Sequence, residues 1–348
     1  AAEDSGFGPV VEDNYQPAQP EDAEEPKDAD QPESADQPES ADQPENTDRQ
    51  EDAEEPKVAD RQESAEEQES AGQQPQPQQA APAAAPAAPA PANGFCKNII
   101  TVINNAATAL KLTLKDVKID VSDTGDIATN GKAALSVQGS GDVTIELDGD
   151  NELKSGYDRA GLEKNTSEGT LTLKDDNKDG SLKATGGDSG AGIGGGGQWG
   201  DASGENITIT GGSVTATGGK WAAGIGGVGN GKNITINGGT VNATGTDGGA
   251  GIGGGENGNG EDITINGGKV NASGAYGGAG IGGGVNGIGS KVTVSGAAQV
   301  TATATGSGPD WSGVGTGATI GNGGSKTPDG PVDGKEIQAD ISHLTTGY

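Results

Sequence analysis

The sequence predicts an all-β chain, a right-handed parallel β-helix of about seven to eight coils, each of roughly 27–32 residues. Three observations predict it. Ala191-Gly192-Ile193-Gly194-Gly195 returns as Ala223–Gly227, Ala250–Gly254 and Ala279–Gly283, at spacings of 32, 27 and 29 residues. Ile207-Thr208-Ile209 returns as Ile234-Thr235-Ile236, Ile263-Thr264-Ile265 and Val292-Thr293-Val294. Val214-x-Ala216 returns as Val241-x-Ala243, Val270-x-Ala272 and Val300-x-Ala302. Each unit thus holds three short period-2 strands split by Gly, Asn and Asp. A unit that small cannot bury its own apolar face, so it must stack on its neighbours.

Ahead of the repeats the composition changes. Residues 1–70 hold 25 acids and 4 bases, most of them in a six-residue unit (AEEPKD, ADQPES and variants) running from Ala23 to Ser70. Such a stretch has almost no apolar surface to offset backbone ordering of about 1–2 kcal/mol per residue. It reads as a disordered acidic stalk. Residues 71–93 read as a Pro/Ala/Gln-rich linker of polyproline character. The alternative is a docking or cation-collecting tail.

The β-helix is expected over 94–325. Val102, then Leu110, Leu112 and Leu114, then Val117, Ile119 and Val121 alternate with polar residues, as do Leu135–Val137, Val143–Leu147, Leu171–Leu173 and Leu182–Ala184. These are the earlier, less regular coils. Alternation places Ile207, Ile209, Val214 and Ala216 inside and Thr208, Thr215 and Thr217 outside. Corners such as Thr210-Gly211-Gly212, Asn237-Gly238-Gly239 and Asn266-Gly267-Gly268 supply positive φ, and stacked Asn can bond along the ladder. Residues 326–348 break the repeat and read as a cap or tail over the open end.

A formal charge of −31 and a pI near 4.1 argue against nucleic acid and anionic lipid as partners. No apolar run is long enough to span a membrane. The chain is read as a monomer. It begins Ala1-Ala2-Glu3 with no Met, as a mature end left by a signal peptidase does, so a secreted or cell-surface location is expected; a trimmed chain reads the same. The single cysteine, Cys96, excludes an intrachain disulfide and reads as a small core residue or a reactive thiol.

The Ala-Gly-Ile-Gly-Gly-Gly element followed by Ile-Thr-Ile-x-Gly-Gly-x-Val-x-Ala resembles the Gly-rich parallel β-helix repeats of secreted and surface proteins of Gram-positive bacteria. Val143–Gly156 followed by Ala160-Gly161-Leu162 carries the same resemblance upstream. Such proteins are often labelled carbohydrate-binding domain-containing proteins. The resemblance covers roughly residues 100–305 and implies a surface protein that faces polysaccharide and takes calcium.

Asp175-Asp176-Asn177-Lys178-Asp179-Gly180 fits D-x-N-x-D-G, the first half of a calcium loop, with Asp175, Asn177 and Asp179 as metal ligands. Asp148, Asp150 or Glu152 of the preceding coil could complete the set. The alternative is a polar turn between Leu173 and Leu182. Just before each Ile-Gly-Gly element one corner carries Asp188, Trp221, Asp247, Tyr276 and Trp311, with Trp199 on a loop nearby. In a chain with 3 % aromatic residues this edge reads as a carbohydrate-binding platform, or as aromatic lids over a thin core.

Thr215-x-Thr217, Asn242-x-Thr244, Asn271-x-Ser273 and Thr301-x-Thr303 form an outward ladder similar to an ice-binding face, though β-branched residues suit strands anyway. Catalysis has little material. His343 is the only histidine, which leaves no His-based triad. A calcium-dependent polysaccharide lyase would draw its base from Arg159 or Lys164. The sequence therefore points to a non-catalytic, polysaccharide-binding surface β-helix. A purely structural shaft or adhesin and the lyase are the alternatives.

Overall fold

The computed structural model describes residues 94–165, 168–197, 202–308 and 312–341. The stalk and linker readings for residues 1–93 lie outside the described residues. The chain divides into two units, Ala1–Ala81 and Pro82–Tyr348, and all described residues belong to the second.

Every described coil repeats one circuit of three strands. The first coil is β1 (Ile100–Ile103), β2 (Leu110–Lys115) and β3 (Lys118–Asp120); the second is β4 (Leu135–Gln138), β5 (Val143–Asp148) and β6 (Asp150–Lys154). The third is β7 (Leu162–Glu163), β8 (Leu171–Lys174) and β9 (Ser181–Thr185); the fourth is β10 (Ile193–Gly194), β11 (Gly204–Ile209) and β12 (Ser213–Thr217). The fifth is β13 (Ile225–Gly226), β14 (Gly231–Ile236) and β15 (Thr240–Thr244); the sixth is β16 (Ile252–Gly253), β17 (Gly260–Ile265) and β18 (Lys269–Ser273). The seventh is β19 (Ile281–Gly282), β20 (Gly289–Val294) and β21 (Gln299–Thr303). An eighth begins at β22 (Ile320–Gly321), and the hairpin β23 (Ser325–Thr327) and β24 (Gly330–Val332) follows.

Stacking these circuits builds three parallel sheets. Sheet I holds eight strands from β1 to β22, while sheets II and III hold seven each, from β2 to β20 and from β3 to β21. The eight strands of sheet I span about 34 Å at the usual inter-strand spacing. The expected alternation holds through the central coils, while at the two ends Leu110 is exposed and Val300 and Ala302 are half-buried. Val143, Leu171, Ile207, Ile234, Ile263 and Val292 pair in register along sheet II and are buried. Val214, Val241 and Val270, beside Ala216, Ala243 and Ala272, do the same along sheet III. On the outer side of sheet II, Thr144, Thr172, Thr208, Thr235, Thr264 and Thr293 form one unbroken column.

The core is thin because glycine lets backbone pack on backbone. Gly226 sits at φ 134°, and a β carbon there would collide with the Gly253 carbonyl. At the corner between sheets II and III, Gly239 adopts φ 84°. Beside it Asn266 Nδ2 donates to Asn237 Oδ1 at 2.8 Å, and Ser295 Oγ to Asn266 Oδ1 at 2.6 Å. This is the side-chain ladder the sequence suggests. Asn151, buried at the start of the sheet III column, accepts from Val117 N (2.9 Å) and donates to Ser181 O (3.1 Å), so its burial is compensated.

The ends of the stack differ. Cys96 pairs with β3, accepting from Asp120 N and donating its own N–H to Lys118 O, and lies half-buried against the core. At the other end Ile337 N donates to Ile320 O, and Asp340 exchanges backbone bonds with Val292 and Val294. The stretch 336–340 thus covers β22 and β20. The Glu336 carboxylate accepts from Thr319 N (2.6 Å) and Ile320 N (3.1 Å).

Candidate functional site

Sheet I strands are mostly two residues long, so the turn entering each strand and the loop leaving it come together as one ridge. Gly197 N donates to Ser189 O (3.0 Å), Glu256 N to Trp221 O (2.8 Å), Val285 N to Gly248 O (2.8 Å) and Gly324 N to Gly277 O (2.7 Å).

The entering turns share one hydrogen-bond pattern, with positive φ at the second central position throughout and at the first as well in Asp247 (φ 45°) and Tyr276 (φ 50°). Arg159 N bonds Gly156 O, Gly190 N bonds Gly187 O, Ala222 N bonds Gly219 O, Gly249 N bonds Thr246 O and Gly278 N bonds Ala275 O. The first central position of these turns stacks Tyr157, Asp188, Lys220, Asp247 and Tyr276. The second stacks Asp158, Ser189, Trp221, Gly248 and Gly277, all at positive φ. The lysine column member pairs with its neighbour, Lys220 Nζ lying 3.9 Å from the Asp188 carboxylate.

This corrects the aromatic edge inferred from sequence. Trp221 stands one turn position away from the column that holds Asp188, Asp247 and Tyr276, so the aromatics do not form a single file. Counting back from the Ile or Leu of each sheet I strand would have shown the offset. The same count finds Tyr157, five residues before Leu162, which the sequence reading passed over. Tyr276 is half-buried with its ring packed directly over Gly308, the lid arrangement rather than a free platform. Trp221 remains 36 % exposed. Trp199 and Trp311 lie outside the described residues.

Local strain and buried polar groups gather on this ridge. Trp221 adopts φ 63°, a left-handed conformation that Gly248 and Gly277 fill in the next two coils. Asp158 and Ser189 are buried, and burial raises the Asp158 carboxyl above its ordinary range, opposed by Arg159 and by the Ser189 hydroxyl. Burial likewise raises the Glu256 carboxyl, whose own N–H bonds the Trp221 carbonyl.

The Asp175 loop closes on itself. One Asp175 oxygen accepts from Lys178 N (2.8 Å) and the other from Gly180 N (3.2 Å), while Lys178 takes φ 65°. The motif forms a polar turn in which each Asp175 oxygen accepts one backbone donor. Asn177 and Asp179 are exposed, and Asp148 is engaged by Lys115 at 2.9 Å, Asp150 by Ser181 at 2.8 Å and Glu152 by Lys154 at 3.1 Å. Among the described residues no group of three or more His, Cys, Asp or Glu side chains converges as a metal site.

The two residues weighed as a lyase base are both occupied structurally, and they lie in the same coil as the Asp175 loop. Arg159 donates to Glu163 (3.2 Å) and to Gly131 O (3.2 Å). Lys164 is 1 % exposed, with Nζ bonded to Asn165 O and Glu205 O.

Comparison with known proteins agrees with the geometry at the level of the fold. A family model described as a β-helix repeat matches residues 178–197, 207–230, 234–256 and 263–285. These four stretches follow successive coils of the stack, so the family model and the geometry agree on a β-helix repeat fold. Neither the curated proteins nor the solved structures give a match to it.

Proposed function

We propose that this β-helix repeat protein is a non-catalytic polysaccharide-binding protein of the cell exterior that meets its glycan along the sheet I ridge. One observation carries the reading: Trp221 is held in a strained backbone conformation without the burial that would offset it. A left-handed residue other than glycine costs about 1–2 kcal/mol, and such strain clusters where a side chain must be presented to a ligand. An exposed indole offers the flat apolar area on which a sugar ring stacks, and Asp188, Lys220 and Asp247 beside it offer polar partners for hydroxyls. The net charge of −31 favours a neutral or cationic polymer over an acidic one.

Retention on insoluble cellulose, chitin, xylan and peptidoglycan tests this. Trp221→Ala should lose retention while its melting temperature stays within a few degrees of the parent. Trp221→Gly should also lose retention, with stability unchanged or raised, since relief of about 1–2 kcal/mol of strain exceeds glycine's added chain entropy of about 0.5–1 kcal/mol. Retention should be equal with calcium and with a chelator, because the Asp175 carboxylate is already satisfied by its own loop. The packing of the Tyr276 ring against Gly308 favours the second reading, a structural shaft. That reading takes over if the parent protein is retained on none of the polymers.

A further inference from the structure

The corner between sheets II and III carries a groove remote in sequence from the Trp221 ridge. In the third coil the chain takes Asp175–Gly180 to pass from β8 to β9, whereas Thr210-Gly211-Gly212 suffices in the fourth coil and Asn237-Gly238-Gly239 in the fifth. The longer turn overhangs the shorter ones and leaves an open cavity of about 520 Å³. Its floor is Gly211, Gly212 and Gly239. Lys178 and Asp179 stand on one side, and on the other are the hydroxyls of Ser181, Ser213 and Thr240, paired in register on successive strands.

We propose that this groove binds an uncharged polyol, one or two linked sugar residues. The registered hydroxyls repeat at about 4.8 Å along the strand stack. Ser181 Oγ already donates to Asp150 (2.8 Å) and offers an acceptor, while Ser213 and Thr240 carry the remaining hydroxyls that would meet successive sugar hydroxyls. The glycine floor has no side chains to bar a ring face. No large apolar or aromatic side chain lines the cavity, so it offers nothing to an apolar ligand. One ammonium, that of Lys178, and two carboxylates, those of Asp175 and Asp179, line the overhang, which gives no net attraction for an anionic ligand. The overhang is pre-formed, since the Asp175 carboxylate pins Lys178 N and Gly180 N, and binding therefore pays little to order it. This inference makes no use of Trp221.

Saturation-transfer NMR on the full chain with cellotriose, maltotriose, xylotriose and chitotriose tests it. At least one trisaccharide should bind. Ser213→Phe, an exposed outward position whose new ring fills the groove, should weaken that binding about tenfold or more, whereas Trp221→Ala should leave it within about twofold. Should Ser213→Phe fail to fold, Asp179→Ala combined with Lys178→Ala removes the overhanging polar pair and should weaken binding in the same direction. The proposal is overturned if no trisaccharide binds, if binding is indifferent to the groove variants, or if Trp221→Ala abolishes it. The ridge reading is decided separately by retention on the insoluble polymers, and loss of trisaccharide binding in Trp221→Ala would place that binding on the ridge instead of the groove.

Discussion

Lys164 shows what one residue costs this architecture. The coils that follow hold glycine at this position, Gly195 in the next one, yet Lys164 places a full ammonium-bearing side chain in the interior. Burial pulls its pKa down to about 8, partly countered by the nearby Glu205 carboxylate. In the unfolded chain a lysine titrates near 10.5. Between about 8 and 10.5 the unfolded state therefore binds more protons, and the contribution of this residue to stability rises with pH. Below pH 8 both states are charged and the burial penalty is felt in full. Lys164→Met should accordingly be the more stable protein at pH 7.5, with its advantage shrinking at pH 10. Paired thermal melts at the two pH values check this; a constant difference would mean that Lys164 is not the titrating group.

At the scale of the element, the glycines divide into two kinds. Gly197 and Gly226 both hold positive φ, but only at Gly226 would a β carbon meet neighbouring backbone. Gly197→Ala should thus cost about 1–2 kcal/mol for the conformation alone, whereas Gly226→Ala should cost clearly more and displace the adjoining strand. Denaturant melts of the pair separate the two terms. What the sequence conveyed about these elements follows from their physics. Ile207, Val214 and Gly239 could be placed in advance because strand alternation and tight corners are local, and four near-copies repeat the signal. The ridge could not, because it depends on how close separate loops come. The bond from Glu256 N to Trp221 O joins residues 35 positions apart, and the stacking of Tyr276 on Gly308 joins residues 32 apart. The Asp175 motif is ambiguous in sequence for a different reason: oxygens spaced for a cation are equally spaced for backbone N–H groups, and here they accept from Lys178 N and Gly180 N. The groove beside it required comparing turn lengths in adjacent coils, which no single coil reveals.

For the whole molecule, a strand stack has the hazard of growing at its ends. Sheet III is covered at β3 by Cys96, while sheets I and II are covered at β22 and β20 by residues 336–340. Among the described residues, no sheet presents a bare edge at both ends, so copies cannot extend one another indefinitely in register. Lys111 and Lys115 on β2 and Lys118 on β3 further blunt the first coil. Truncation after Gly334 removes the cover from β22 and β20 and should produce concentration-dependent association visible by light scattering. A truncated protein that stays monodisperse would show that these edges need no cover.

Near-identical coils bring a second hazard, that of a coil folding onto the wrong partner, since Ile207, Ile234 and Ile263 are interchangeable in the core. The outward charges discriminate where the core does not. Lys118, Glu152 and Lys183 alternate in sign along sheet III. Glu205, Lys232 and Glu261 alternate along sheet II, and Asp188, Lys220 and Asp247 along the ridge. Were a chain to omit one coil and join the next but one, each of these columns would bring like charges together, and facing like charges on paired strands are destabilising. Sign alternation thus works as a parity check, keeping a repetitive chain counting its coils in order.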